Sequence, residues 1–182
     1  MIGLLLLSLF TFVELNCENL FDTRHDSLRH DEEYLPASAL RWTPQRYWRK
    51  LNHIGKAILS CGELDSGMMV PDMVILTEVE NDSVMHDLTR RSLLRGAGYS
   101  YVMTSGPDIR GIDVALMFSP YAFRLINSHA IRVVPPAGFS PTRDILYASG
   151  ELIGGDTLHV FALHAPSRRG GEAATRIYRM QV

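Results

Sequence analysis

Pro71-Asp72-Met73-Val74-Ile75-Leu76-Thr77-Glu78-Val79-Glu80-Asn81 is the stretch on which the reading of the fold turns. The consecutive apolar side chains Met73 to Leu76 suit a strand covered on both faces, and so a sheet with layers on either side. The run ends in Glu78. A carboxylate at the exit of an apolar strand is costly unless it is paired, solvated or bound to a metal. Magnesium, which prefers oxygen ligands and keeps several waters, would satisfy it. From this position alone a surface turn residue serves as well. Glu80 and Asn81 read as helix-entry residues, with Asn81 or Asp82 capping a helix from about Asp82 to Leu94 that Gly96 and Gly98 close.

Upstream, Thr11 to Leu15 form a core strand that gives out at Asn16-Cys17-Glu18-Asn19-Leu20-Phe21-Asp22. Amides and carboxylates clustered at a strand end can coordinate a hard cation and orient a ligand. The same residues form turns closed by Asx hydrogen bonds, and the segment by itself points to such a turn. Asp22 to Ala39 is rich in charge, includes His25 and His30, and reads as a long surface loop. Thr43 then caps a helix with Pro44 in its first turn. Tyr47, Leu51, Ile54 and Ile58 make its apolar stripe, Gly62 stops it, and Arg46, Arg49, Lys50 and Lys56 fall mostly on a solvated face.

Downstream, strand signals dominate: Tyr99 to Met103, Ile112 to Phe118, Phe123 to Asn127, Ala130 to Val134, Ile145 to Leu152 and Thr157 to Leu163. Turn clusters such as Ser105-Gly106-Pro107-Asp108 and Gly154-Gly155-Asp156 separate most of them. Asp113 lies inside an apolar strand and needs a partner, for which Arg110 or Arg143 would serve. The last strand runs into Leu163-His164-Ala165-Pro166-Ser167-Arg168-Arg169-Gly170-Gly171. A histidine at a strand end can hydrogen-bond an oxyanion near neutral pH, and guanidinium forks grip phosphate oxygens. A lone histidine there is also commonly structural. Glu172 to Val182 has Ala173, Ile177 and Met180 at helical spacing. Helices early and strands late imply sheets covered by helices, with much antiparallel pairing.

At 182 residues, 46% hydrophobic and 21% charged, the chain is a globular protein of one ordinary domain. Its formal charge of −2 gives no global basic field, so any phosphate binding must be local. Cys17 and Cys61 make neither a disulfide framework nor a zinc site, and they read as free thiols. Residues 1–10 form an apolar segment too short to cross a bilayer. It lacks the basic flank and small-residue cleavage site of a secretory signal. The chain is expected to be exported or membrane-associated if this segment is the tail of an export signal, and cytoplasmic otherwise.

"LNCENLFD", "PDMVILTEVEN", "RGIDVAL", "TRDIL" and "HAPSRRGGE" occur in the order seen in the endonuclease/exonuclease/phosphatase family, which includes deoxyribonuclease I and the apurinic/apyrimidinic endonucleases. The chain resembles a bacterial branch of that family over roughly Phe12 to Val182. The resemblance implies an α+β fold, a four-layer α/β/β/α sandwich with the active site at one edge. It implies one partial domain over residues 11–182, lacking its C-terminal part. Asn16 is similar to the asparagine that helps hold the catalytic centre, and Glu78 to the metal-binding glutamate. Glu18 takes the place of an aspartate near the metal. His164 falls where deoxyribonuclease I has a histidine. Arg143 falls near a substrate-contacting arginine, and Arg110 and Arg168 are further candidates for substrate phosphate.

The implied cofactor is Mg2+, with Mn2+ able to stand in, and the implied substrate is a phosphoester, nucleic acid or small phosphodiester. No stable protein partner is implied. The family's Gly-Asp-Phe-Asn and Ser-Asp-His motifs do not occur in this sequence. Leu163 stands where the related branch has an asparagine before the histidine. Groups that act as a unit lose nearly everything when some are absent. The expectation is a phosphoesterase domain inactive or nearly so by itself, or else a non-catalytic phosphate- or protein-binding remnant of the fold.

Overall fold

The structure is a computed structural model that describes residues 10–64, 67–134 and 140–165. Its first sheet contains β1 (Phe12–Leu20), β4 (Met73–Val79), β6 (Asp113–Phe118) and β5 (Ser100–Met103), in the order β1-β4-β6-β5. β1 and β4 are parallel, while β6 runs antiparallel to both β4 and β5. A second sheet holds β7 (Phe123–Ile131), β8 (Ile145–Leu152) and β9 (Thr157–Ala162), all antiparallel. A short hairpin of β2 (Glu63–Leu64) and β3 (Gly67–Met68) lies between α1 (Pro44–Cys61) and β4.

Alternation along β4 divides its side chains between two cores. Val74 and Leu76 join Ala115 and Met117 on the outer face, where the α1 stripe of Tyr47, Leu51, Ile54 and Ile58 covers them. Met73 and Ile75, with Val114, Leu116 and Phe118, face the second sheet and meet Phe123, Leu146, Ala148, Val160 and Ala162. Burying each such side chain contributes roughly 1.5–3 kcal/mol before the ordering entropy is set against it. β4 is thus covered on both faces, as its composition requires, and only Glu78 along it is less than fully buried. Among the described residues no helix covers the outer face of β7–β9. The segment Glu172 to Val182, the arginine Arg168 and the apolar start of the chain lie outside the described residues.

Four local readings change. β1 continues past Leu15 to Leu20, because the "NCENL" turn stays paired with β4 through an irregular register. The expected helix from Asp82 to Leu94 breaks into α2 (Asp82–His86), a wide turn over Asp87–Arg91 and a tight one over Leu93–Gly96. Thr89 and Ser92 hydroxyls donate to the carbonyls of Met85 and Leu88, diverting acceptors that an α-helix would use. Phe123 to Asn127 and Ala130 to Val134 are one strand, β7, bent by a register shift between Leu125 and Asn127 rather than a turn. The β2–β3 hairpin carries no sequence signal strong enough to foresee. Cys17 and Cys61 are both free thiols, the first buried and the second exposed.

The strand directions give the molecule two unlike ends. One gathers the C-terminal ends of β1, β4 and β9 with the N-terminal ends of β6 and β8, and is polar. The other holds the start of β1, the β6–β7 turn and the β8–β9 turn.

Candidate active site

The polar end is built on an interruption of β4. Asn16 pairs with Thr77 and Leu20 with Val79 on one side, while Thr77 pairs with Val114 and Val79 with Asp113 on the other. Glu78 is left without a cross-strand partner, the geometry of a bulge, which re-aims a side chain. Glu78 has φ 61°, and across from it Glu18 and Asn19 have φ 52° and 62°. Non-glycine residues in this left-handed region cost on the order of 1 kcal/mol or more each, and such strain gathers at functional sites.

Tertiary contacts hold the strained turn. The Asn19 backbone N–H donates to Glu78 Oε2 at 2.8 Å. Lys50 on α1 donates from Nζ to the carbonyls of Glu18 and Asn19 at 2.5 and 3.0 Å. Burial lowers the Lys50 pKa. Beneath the turn, burial pushes the Cys17 thiol up to about 12, which leaves it protonated and inert. Glu80, two residues on, accepts the Asp22 N–H at 2.6 Å and is pushed up to about 8, chiefly by burial.

His164 completes the pair. Its Nε2 lies 3.6 Å from Glu78 Oε1, with both side chains largely covered. Burial first, and then the nearby Arg143 guanidinium, lowers the imidazole pKa, so the ring is neutral around pH 7. Its Nδ1 is buried without a hydrogen-bond partner among the described residues. The loop carrying it is clamped from below. Buried Arg143 pairs Nη1 with Asp108 Oδ2 at 2.9 Å and donates Nη2 to the carbonyls of His164 and Ala165 at 3.0 and 3.4 Å. Asp108 also meets the half-exposed Arg110, Nε to Oδ1 at 3.4 Å. Arg29 from the long loop donates to the carbonyls of Asp108 and Gly106.

Asn16, Glu18, Glu78, His164, Arg110 and Arg143 are therefore gathered at one end, by different contacts. The exposed Asn16 amide oxygen accepts the Glu18 N–H at 2.7 Å, an Asx turn, so one lone pair of the proposed ligand is already engaged. Glu18 projects an exposed carboxylate from the same turn. Arg143 is spent on Asp108 and the His164 loop, whereas Arg110 keeps an open face. Arg168 lies outside the described residues. Neither Arg110 nor Arg143 pairs with Asp113, contrary to expectation. Asp113 instead accepts the Thr104 hydroxyl at 2.6 Å and the Gly106 N–H at 2.8 Å, and the arginines go to Asp108. Local neutral donors reach the strand interior, which a long guanidinium does not need to enter.

Among the described residues no group of three or more His, Cys, Asp and Glu side chains is arranged to hold a metal ion. A protein cage is therefore not what this end offers. It offers Glu78 Oε1, with the amide and carboxylate of Asn16 and Glu18 on the adjacent turn. That set suits a hydrated magnesium ion, which commonly takes one or two carboxylates and completes its shell with water and substrate phosphate. Asp108 and Lys50 are functional supports that the sequence reading passed over. Lys50 sits off the apolar stripe of α1 like any solvated lysine, and only the fold brings it to the turn.

A family model described as Endonuclease/Exonuclease/phosphatase family matches residues 11–182. The chain belongs to the endonuclease/exonuclease/phosphatase family. None of the curated proteins matches it. Solved structures with similar folds include humanized D. rerio TDP2, at TM-score 0.55 and 16% identity, covering 94% of this chain and 53% of that one. An endonuclease/exonuclease/phosphatase family protein from Bacteroides thetaiotaomicron has TM-score 0.51 and 14% identity, covering 74% of this chain and 46% of that one. ANGEL2, described as a 2',3'-cyclic phosphatase in complex with adenosine-2',3'-vanadate, has TM-score 0.50 and 17% identity, covering 70% and 34%. At these identities the likeness concerns the fold, an α+β arrangement of the deoxyribonuclease I type. This family member spans about half the length of the TDP2 chain it matches.

Proposed function

We propose that this chain is a phosphoesterase-type domain of its family, with a divalent metal held at Glu78 and a phosphoester as substrate. The observation that carries the reading is the pairing of Glu78 with His164, 3.6 Å apart, at a strained bulge. Glu78 would hold Mg2+, or Mn2+ in its place, aided by Asn16 and Glu18. The ion, when bound, supplies positive charge that polarises the phosphoryl group. Neutral His164 can donate a hydrogen bond to a phosphate oxygen through a ring N–H, since its Nε2 faces the same space as Glu78 Oε1. Arg110, half exposed at the rim, is the candidate for a charge-assisted bond to phosphate. Arg143 fixes the His164 backbone, and Arg168 follows on the same segment.

The overall charge of −2 favours a small phosphodiester or headgroup over a long nucleic acid, which local arginines could still grip. Because neither the Gly-Asp-Phe-Asn nor the Ser-Asp-His motif is among these residues, turnover by this chain alone is expected to be slow. That same absence favours the second reading, a phosphate-binding but non-catalytic domain. Hydrolysis of a bis-aryl phosphodiester across a magnesium titration separates them. The expected result is slow, magnesium-dependent turnover that falls at least about tenfold in Glu78→Gln and little in Glu80→Gln. Magnesium-dependent phosphate binding without turnover supports the second reading. Equal loss in both variants removes Glu78 from the metal site.

A further inference from the structure

Between the start of α1, α2 and the chain that leaves β1 lies a cavity of about 470 Å3, a volume in the range of small-molecule sites. Two of its walls continue directly from the strained turn: Asp22 to Arg24 follow β1, and Asp82 to Asp87 follow β4. A third is a preset guanidinium. The wide turn over Asp87–Arg91 ends on Arg91, whose guanidinium lies over the Trp48 ring, 4.9 Å from its centre. Asp87 Oδ1 accepts from Arg91 Nη1 at 2.8 Å, and the Tyr47 hydroxyl fixes Asp87 in turn by donating to Oδ2 at 3.0 Å. Held by a ring and by a carboxylate, the Arg91 side chain is still 61% exposed. Around it stand polar groups that the fold leaves unused. Asp22 Oδ1 accepts the Arg24 N–H and Asp82 Oδ1 the Tyr101 hydroxyl, which leaves Oδ2 of each without a partner among the described residues. The Ser83 hydroxyl, the His86 ring and the Arg24 guanidinium likewise make no hydrogen bond or ion pair among them.

We propose that this cavity is a nucleobase subsite: a base with an exocyclic amino group lies on the Arg91 guanidinium and donates to the free carboxylate oxygens of Asp22 and Asp82. A guanidinium plane is a stacking surface for unpaired bases as an aromatic ring is. Trp48 and Asp87 hold this one in place before any ligand arrives, so little ordering is left to be done on binding. Charge selects the same ligand. Asp87 and Arg91 offset each other, and Asp22 and Asp82 stand against Arg24 alone, which disfavours a bare phosphate. Arg24 and Arg91 oppose a simple cation in the same way. A neutral, flat ligand with donors and acceptors along its edge fits both. Carboxylates accept from the amino group of a base, while Ser83, His86 and Arg24 can donate to its ring nitrogens or carbonyl oxygen. The proposal rests on the phosphoesterase reading for one step, that base and phosphate belong to one substrate. That substrate is then a nucleotide or short oligonucleotide and not a lipid headgroup.

The test is titration of the full chain with adenosine, which carries a base and no phosphate, followed in amide and indole N–H spectra. The chain has two tryptophans, and the Trp42 indole, tied to the Phe21 carbonyl and outside the cavity, serves as the control. Adenosine should move the Trp48 indole and Ser83 amide signals and leave Trp42 in place. Arg91→Lys keeps the charge and loses the plane, and it should weaken adenosine binding roughly tenfold. Arg49→Lys, an exposed change elsewhere on α1, should not weaken it. Inosine, with a carbonyl in place of the amino group, should bind about fivefold more weakly or worse. No movement at Trp48, equal binding of inosine, or indifference to Arg91→Lys overturns the proposal. So does ribose 5-phosphate that moves the same signals as strongly, which would make the cavity a phosphate site. Adenosine that fails to bind while magnesium-dependent hydrolysis of the bis-aryl phosphodiester persists removes the subsite alone. Adenosine binding without that hydrolysis supports the subsite and removes the phosphoesterase reading instead.

Discussion

The two ends of this protein are made from the same strands and differ in what those strands do when they stop. At the polar end β1 and β4 lose register, three of their residues adopt left-handed backbone, the Lys50 ammonium holds carbonyls of that turn, and the buried Asp108 carboxylate is matched by the Arg143 guanidinium. At the other end the strands stop in regular turns, Asp72 is satisfied by its neighbour Thr11, and apolar tips are left in water. One end stores strain and charge, which only a ligand can put to use. The other stores exposed apolar area, which only a nonpolar partner can.

If the polar end depends on matched charges, the largest effect should follow from unmatching them. Arg143→Met removes the guanidinium that holds buried Asp108 and the His164 carbonyl. Breaking such a pair from one side should cost about 3 kcal/mol or more, read in urea unfolding. A loss under 1 kcal/mol would show that Arg110 suffices for the Asp108 carboxylate.

Glu80 gives the next effect, in pH. Its carboxyl, ordinarily at 4.5, is pushed to about 8 by burial. Between those values the folded protein keeps a proton that the unfolded chain releases, so stability should fall as pH rises from about 4.5 to 8 and level off above. Glu80→Gln should flatten that slope and gain on the order of 2 kcal/mol at pH 8. A slope unchanged in the variant would mean that Glu80 ionises without penalty.

Smaller still, Glu78→Gly should be more stable than Glu78→Ala by about 1 kcal/mol, since both lose the carboxylate that accepts the Asn19 N–H but only glycine adopts φ 61° without strain. Equal stability of the two variants would locate the tension elsewhere in the turn. At the other end, Tyr121→Ser and Ile153→Ser should each change stability by less than about 0.5 kcal/mol, since both side chains already lie in water. A larger loss would mean that they are core residues after all.

Regular structure was legible where one rule governed a whole segment. The α1 stripe, the doubly covered β4 and the β8 span follow directly from apolar spacing. Misreadings fall where local hydrogen bonds compete, as at Thr89 and Ser92, or where a strand continues through polar residues past an irregular register, as β7 does at Ser128-His129 beyond the shift between Leu125 and Asn127. Glu78 was legible as a costly carboxylate, and His164 as a strand-end imidazole, but their meeting was not. They lie on different sheets, joined only by the packing of one sheet on the other. The left-handed backbone at Glu18 and Glu78 leaves no mark in residue type, since neither is glycine. Asp108 was hidden for a related reason: the arginines that choose it over Asp113 do so by position in space.

The claim beneath this account is that a hard cation binds at Glu78 rather than among the other carboxylates of the polar end. Paramagnetic broadening by trace Mn2+, followed residue by residue in amide spectra of the chain, tests it whether or not the chain turns over substrate. The account predicts early broadening at Asn16, Glu18, Glu78 and His164 that disappears in Glu78→Gln while the variant keeps its fold. Broadening centred on Asp22, Asp26 and Glu80, and unchanged in Glu78→Gln, would contradict it.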